Sequence, residues 1–287
     1  MRTWENLNPI ATAVYFIAVT AVVMFGVDPI KAALSLIGAL ALFLLAVPAR
    51  RGLHMLCALV LAAGTLVNPL VSHRGTTVLF VLNNNPVTLE ALVYGAVSSA
   101  AMVAVIYWFG CFSAIMTTDK LLYIFGSALP RLSLILSMAL RYVPLFARKT
   151  RETENAQRAM GLCRDEGIID AVRARLRVLS VMVTWTLENG IITADSMEAR
   201  GYGSCRRSFF ALYRFTRRDA AVTAVSVALM ALSLAGRSTF TIYPVLGVSP
   251  PGPLAVTAYA AYALLAALPA IIWTGDELRW KFLQSRI

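Results

Sequence analysis

The chain alternates between apolar runs long enough to cross a bilayer and one long basic stretch that cannot. A spanning helix needs about 20 mostly apolar residues. Four such runs precede the basic stretch, at 10–27, 32–47, 53–70 and 88–112, and two follow it, at 220–235 and 254–273. Of 287 residues, 59% are hydrophobic and 14% charged, too few charges to cover a soluble domain of this size. The expected class is therefore an all-α polytopic membrane protein with about six spans. The first run is too long for the core of a cleaved signal, so it is expected to stay as a span.

Between residues 131 and 218 there are 16 Lys and Arg against 8 Asp and Glu, so this stretch holds most of the formal net charge of +11. It must lie in water or against another protein, on the side where basic residues collect. Arginine excess in a membrane protein reflects loops that meet anionic headgroups, which favours the bilayer over nucleic acid as the basic partner. With Arg50, Arg51 and the basic stretch inside, the turn at Asp28 to Lys31, the 71–86 loop and the loop after Arg237 fall outside. Both termini are then cytoplasmic. The expected organisation is four spans over 1–129, a cytoplasmic region over 130–218 and a two-span hairpin over 219–287. Segment 113–129 carries Asp119 and Lys120 among apolar residues and reads as a short interfacial or re-entrant helix.

The cytoplasmic region reads as two helices. Pro130 suits a first helical position, and Leu132, Ile135, Leu136, Ala139, Leu140 and Val143 follow at helical spacing. Pro144 predicts a bend, Glu154 and Arg158 are spaced to pair, and Gly161 is a stop. The second helix is expected from Ile168 to Arg200, stopped by Gly201. Its middle, 176–192, is apolar on most faces and is expected to pack against the spans or the first helix. The two helices end alike, in Ala159-Met160-Gly161 and Ala199-Arg200-Gly201. Alanine allows close approach, and glycine accepts a left-handed backbone. Arginine in a last turn suits the helix dipole and offers five donors to carboxylates or carbonyls. Three-residue matches are also what ordinary helix stops look like, with Arg200 a solvated charge. Longer strings separate the two readings.

Those strings are Asn68-Pro69-Leu70 with His73-Arg74-Gly75 and Val78-Leu79-Phe80; Asn85-Pro86-Val87-Thr88-Leu89-Glu90; Arg141-Tyr142-Val143-Pro144; Ala156-Gln157-Arg158-Ala159; and Ala194-Asp195-Ser196-Met197-Glu198-Ala199-Arg200-Gly201-Tyr202-Gly203. With them the chain resembles the transmembrane T component of energy-coupling factor (ECF) transporters, including the CbiQ-like proteins of cobalt uptake. The resemblance implies a non-catalytic subunit in a prokaryotic cytoplasmic membrane. Two ABC-type ATPase subunits would hydrolyse ATP, and a substrate-binding S component would carry a vitamin or a transition-metal ion. It further implies that Ala199, Arg200 and Gly201 dock on one ATPase and Ala159, Met160 and Gly161 on the other. Met160 departs from the family pattern, which often has arginine there. Either Arg158 or Arg164 supplies the charge, or Met160 inserts as a flexible apolar anchor.

No catalytic, metal or cofactor site is expected. Cys57, Cys111, Cys163 and Cys205 include no Cys-x-x-Cys pair, and His54 and His73 are the only histidines. Glu90 and Asp119 read as interfacial, and Glu188 and Asp195 as partners for nearby arginines. His-Glu-x-x-His, Gly-x-Ser-x-Gly and the Gly-Lys-Ser/Thr phosphate loop are all absent from the sequence. The alternatives are an intramembrane enzyme, which needs a site of that kind, or a self-sufficient secondary transporter, for which internal repeats are expected.

Overall fold

Proline and glycine punctuate the helices where the apolar runs stop. The structure, a computed structural model, describes residues 7–26, 28–46, 51–72, 75–82, 85–162, 167–204, 213–236, 239–250 and 252–284. Among them are nine helices: α1 (Pro9–Phe25), α2 (Pro29–Ala46), α3 (Arg51–Val71), α4 (Leu89–Ile115), α5 (Thr118–Ala128), α6 (Pro130–Ala159), α7 (Ile168–Ala199), α8 (Arg217–Ala235) and α9 (Pro253–Gln284). Two small antiparallel hairpins accompany them, β1 (Val78–Leu82) with β2 (Asn85–Thr88) and β3 (Phe240–Thr241) with β4 (Gly247–Val248). The chain divides into two compact units: Met1–Leu121 with Tyr213–Ile287, and Leu122–Leu212.

The first unit holds the apolar helices. Helices α3, α4, α8 and the Pro253–Gly275 part of α9 are long and apolar enough to cross a membrane. Helices α1 and α2 are apolar but shorter, because Pro9, Gly26 and Pro29 cut them. At 1.5 Å per residue, α1 is about 26 Å long against a hydrocarbon core of about 30 Å. The core gathers Tyr15, Phe16, Phe43, Trp108, Tyr262 and Leu265. Aromatic rings meet edge to face there, as in Tyr15 with Trp108 at 6.2 Å. Their polar tips are satisfied locally: Trp108 Nε1 donates to Ser35 Oγ at 3.0 Å and Tyr15 Oη to the Leu265 carbonyl at 3.1 Å. Helices α3 and α4 approach closely because small residues face each other. A Cβ on Gly64 would come within 2.7 Å of Ser99 Cβ. Asn68 Nδ2 also donates to the Ala91 carbonyl at 2.6 Å.

Polar clamps fix which helix ends share a level. The Asn8 amide donates to Asp219 Oδ1 at 3.0 Å, and the other oxygen of Asp219 accepts from the Thr216 amide and hydroxyl. The starts of α1 and α8 therefore lie together. At the other end, Lys31 Nζ donates to the Ser233 carbonyl at 3.2 Å, and the rings of Tyr94 and Tyr243 meet at 5.4 Å. The three charge-poor connections of the sequence thus fall at one end of this unit.

Three local readings need correction. The 71–86 segment is not wholly loop: Val78–Leu82 pairs with Asn85–Thr88, because a five-residue apolar run finds its strand partner directly after it. Glu90 is not an interfacial acid but fully buried, and it accepts from Thr76 Oγ1 at 3.3 Å and Thr77 Oγ1 at 2.6 Å. These donors come from the preceding loop, which the carboxylate ties to the start of α4. Segment 113–129 is split: α4 continues to Ile115, and α5 follows. Lys120 bridges the break by donating to the Ile115 carbonyl at 3.2 Å, a favourable place for a cation at a helix C-terminus.

Candidate coupling site

The second unit is built around α6 and α7. Helix α6 runs unbroken through Pro144. The Tyr142 hydroxyl meets the Thr193 hydroxyl at 2.9 Å, Phe146 packs edge to face on Trp185 at 5.8 Å, and Arg177 Nη1 donates to the Leu162 carbonyl at 3.4 Å. Early α6 residues meet late α7 residues, so the helices are antiparallel. One stripe of α7 faces inward. Val178 and Met182 are buried, and Trp185, Asn189 and Thr193 continue the stripe at steps of three or four. The expectation that the whole middle of α7 packs away is met only along this stripe. Leu176, Leu179, Leu187 and Ile191 are all exposed, because a single partner helix covers a narrow face. The Glu154 to Arg158 pair does not form among the described residues; α6 instead pairs Lys149 with Glu152 at 3.3 Å. Glu188 and Asp195 are exposed, and neither forms an ion pair among the described residues.

The ends of the two helices share one hydrogen-bond pattern. On α6, the Gly161 amide donates to the Arg158 carbonyl at 3.0 Å and the Leu162 amide to the Gln157 carbonyl at 3.0 Å. On α7, the Gly201 amide donates to the Glu198 carbonyl at 2.8 Å and the Tyr202 amide to the Met197 carbonyl at 3.0 Å. Both are Schellman ends, in which the residue after the cap must be left-handed. Gly161 and Gly201 have φ of +71° and +78°. A Cβ at Gly161 would meet nothing within 4 Å, and one at Gly201 only Ser204 Oγ at 4.0 Å. Conformation, not crowding, demands these glycines.

Residues can now be matched across the two ends. Met160 and Arg200 occupy the same cap position, and both are exposed. Arg158 stands where α7 has Glu198. Two residues are about 200° of helix turn, so Arg158 and Met160 start from different sides of the helix end. Arg164 lies outside the described residues. Arg200 is exposed, and among the described residues it forms no ion pair. Because α6 and α7 are antiparallel, the two tips lie at opposite ends of the pair. The Gly161 end is level with Arg177, and Gly201 lies 24 residues farther along α7, roughly 36 Å away. Sequence reasoning missed two supports. Arg177 braces the first tip, and Gln157 is buried beneath it. Gln157 was legible only as part of the Ala156 to Ala159 string.

Residues 2–209 match the family described as cobalt transport protein, CbiQ. The chain belongs to the CbiQ family. It is also similar to proteins called energy-coupling factor transporter transmembrane protein EcfT. In Lactobacillus helveticus the identity is 32% over 121 residues, covering 42% of this chain and 44% of the relative. In Streptococcus thermophilus it is 35% over 123 residues, covering 42% and 46%. In Lacticaseibacillus paracasei it is 37% over 90 residues, covering 31% and 34%. The aligned stretches thus span less than half the length of these curated relatives. Membership of CbiQ accords with the apolar helices of the first unit.

Proposed function

We propose that this CbiQ-family chain is the energy-coupling membrane subunit of an ECF-type importer. Six helices, α1 and α2 included, cross the cytoplasmic membrane, with both termini inside. The second unit faces the cytoplasm. Each helix end docks in a groove of one of two ABC-type ATPases: Ala159, Met160 and Gly161 on one, and Ala199, Arg200 and Gly201 on the other. Closure of the ATPases on ATP moves the two ends, and the rigid pair carries that motion toward a substrate-binding S component. The cargo is a vitamin or a transition-metal ion. The chain itself does no chemistry.

The observation that carries this reading is the pair of matching, exposed Schellman ends at opposite ends of one antiparallel helix pair. Two ATPase partners would each meet one of two ends of the same backbone form, roughly 36 Å apart. At Arg200 the exposed fork supplies charge-assisted hydrogen bonds to carboxylates or carbonyls. At Met160 the same position supplies apolar contact. Co-expression of the chain with candidate ATPases, followed by purification and ATP-dependent uptake in proteoliposomes, tests the assignment. Arg200→Ala is expected to weaken ATPase association by about 2 kcal/mol, the scale of a hot-spot truncation. Unchanged association and uptake would remove Arg200 from the docking surface.

A further inference from the structure

Helix α3 is joined to α4 through the β1–β2 hairpin, and the residues of that connection do not suit water. From Gly75 to Leu89 the sequence holds no charged residue, and β1 reads Val78-Leu79-Phe80-Val81-Leu82. An antiparallel strand with one face in water alternates apolar with polar residues. Strand β1 has no polar residue at all. One side of the hairpin is turned inward, where Val87 is 3% exposed. The other side is open. Val81 lies opposite Pro86 in the register, and Val78, Leu79 and Val81 are 51%, 50% and 62% exposed. The hairpin is also tied down. The Leu89 amide donates to the Thr77 carbonyl at 3.0 Å, and Thr77 Oγ1 donates to the buried Glu90 at 2.6 Å. Strand β1 is therefore held at a set height against the start of α4.

Two requirements bracket that height. Among the described residues β1 pairs only with β2, so its other edge keeps unpaired N–H and C=O groups. Open sheet edges do not occur against lipid within the hydrocarbon core. An uncharged apolar face of this kind is equally unfavourable in bulk water. The zone where headgroups meet the first acyl carbons satisfies both, because it offers hydration to the edge and hydrocarbon to the side chains. The place in the fold agrees. Helices α3 and α4 are long and apolar enough to span, and Asn68 and Ala91 bond the end of one to the start of the other. The last turns of α3 expose Leu66, Val67 and Leu70 just as β1 exposes its own apolar residues. We infer that the β1–β2 hairpin is an interfacial anchor, laid on the bilayer surface with Leu79 and Val81 among the outermost acyl carbons, and that it sets the depth of the α3–α4 junction. The inference needs the first unit to span a membrane and does not depend on ATPase docking.

The test is electron paramagnetic resonance of the full-length chain, alone, in vesicles of equal parts phosphatidylcholine and phosphatidylglycerol. Cys163 and Cys205 are replaced by serine, while Cys57 and Cys111 are buried and stay. A nitroxide is placed by Leu79→Cys or Val81→Cys in separate chains, so a fold lost in one leaves the other to be read. Leu59→Cys, near the middle of α3, is the lipid reference, and Asp195→Cys on α7 is the water reference; both positions are exposed. Depth is read from collisions with oxygen, which concentrates in lipid, against those with a water-soluble nickel chelate. Labels at 79 and 81 are expected at about 5–10 Å into the headgroup–acyl boundary, the depth of an interfacial element, with position 59 deeper and position 195 in water. A reading equal to that of position 195 puts the hairpin in water and overturns the inference. A reading as deep as that of position 59 puts the open edge in hydrocarbon and also overturns it. Exclusion of both reagents would mean that a second copy of the chain covers β1, which replaces the bilayer as the occupant and overturns the anchor.

Discussion

Replacing Gly201 by alanine isolates the backbone requirement of the docking end. The residue sits at φ +78°, where an L side chain costs about 1–2 kcal/mol. Space is not the problem, because the nearest atom to an added Cβ is Ser204 Oγ at 4.0 Å. The alanine variant is therefore expected to keep its global fold and to relax at the tip, breaking the bonds from Gly201 to Glu198 and from Tyr202 to Met197. Docking must then restore the left-handed turn. The same 1–2 kcal/mol appears as a loss of about 5- to 30-fold in ATPase affinity. Asparagine tolerates this conformation better, so Gly201→Asn should fall between glycine and alanine. Binding of the ATPase pair to nanodisc-embedded chain gives the affinities, and hydrogen exchange at the Tyr202 amide reports the relaxed turn. If alanine and asparagine lose equally, side-chain bulk rather than backbone conformation governs docking. If all three bind alike, the end is not a docking element.

The first end should depend on its cap residue and not on the nearby cation. Met160→Ala is expected to weaken docking there by about 1 kcal/mol, the value of one partly buried apolar side chain. Arg158→Ala should change it by less than about 0.5 kcal/mol, as for an exposed charge; calorimetric titration of each variant with ATPase distinguishes them. The hydroxyl contact between α6 and α7 should be worth about 1 kcal/mol in a cycle of Tyr142→Phe and Thr193→Val, read from denaturant unfolding of the full chain. No coupling between the two substitutions would mean that the ring contacts alone hold the pair together.

How much of this was legible follows from how local each signal is. Helix α6 has its expected limits because Pro130 and Gly161 mark both ends within the chain itself. Helix α7 is bounded in the same way by Gly167 and Gly201. The equivalence of Met160 and Arg200 is likewise local, since cap position follows from spacing to the glycine. What the sequence hid depends on distant partners. Asp28 and Lys31 read as a polar turn, yet they are buried because Lys31 meets Ser233, 202 residues away. Glu90 read as interfacial because its donors, Thr76 and Thr77, belong to a loop whose folding depends on a hairpin. The apolar faces of α7 read as a packed core, but one neighbouring helix covers only a stripe. Helical periodicity shows that a face is apolar, not how much of it a neighbour covers.

Site-specific photocrosslinking from positions 160 and 200, in chain reconstituted with two distinguishable ATPase subunits, tests the central claim most directly. The account predicts that position 160 labels one subunit and position 200 the other, as ends roughly 36 Å apart on an antiparallel pair require. Labelling of a single subunit from both positions, or of neither subunit from either, would contradict it.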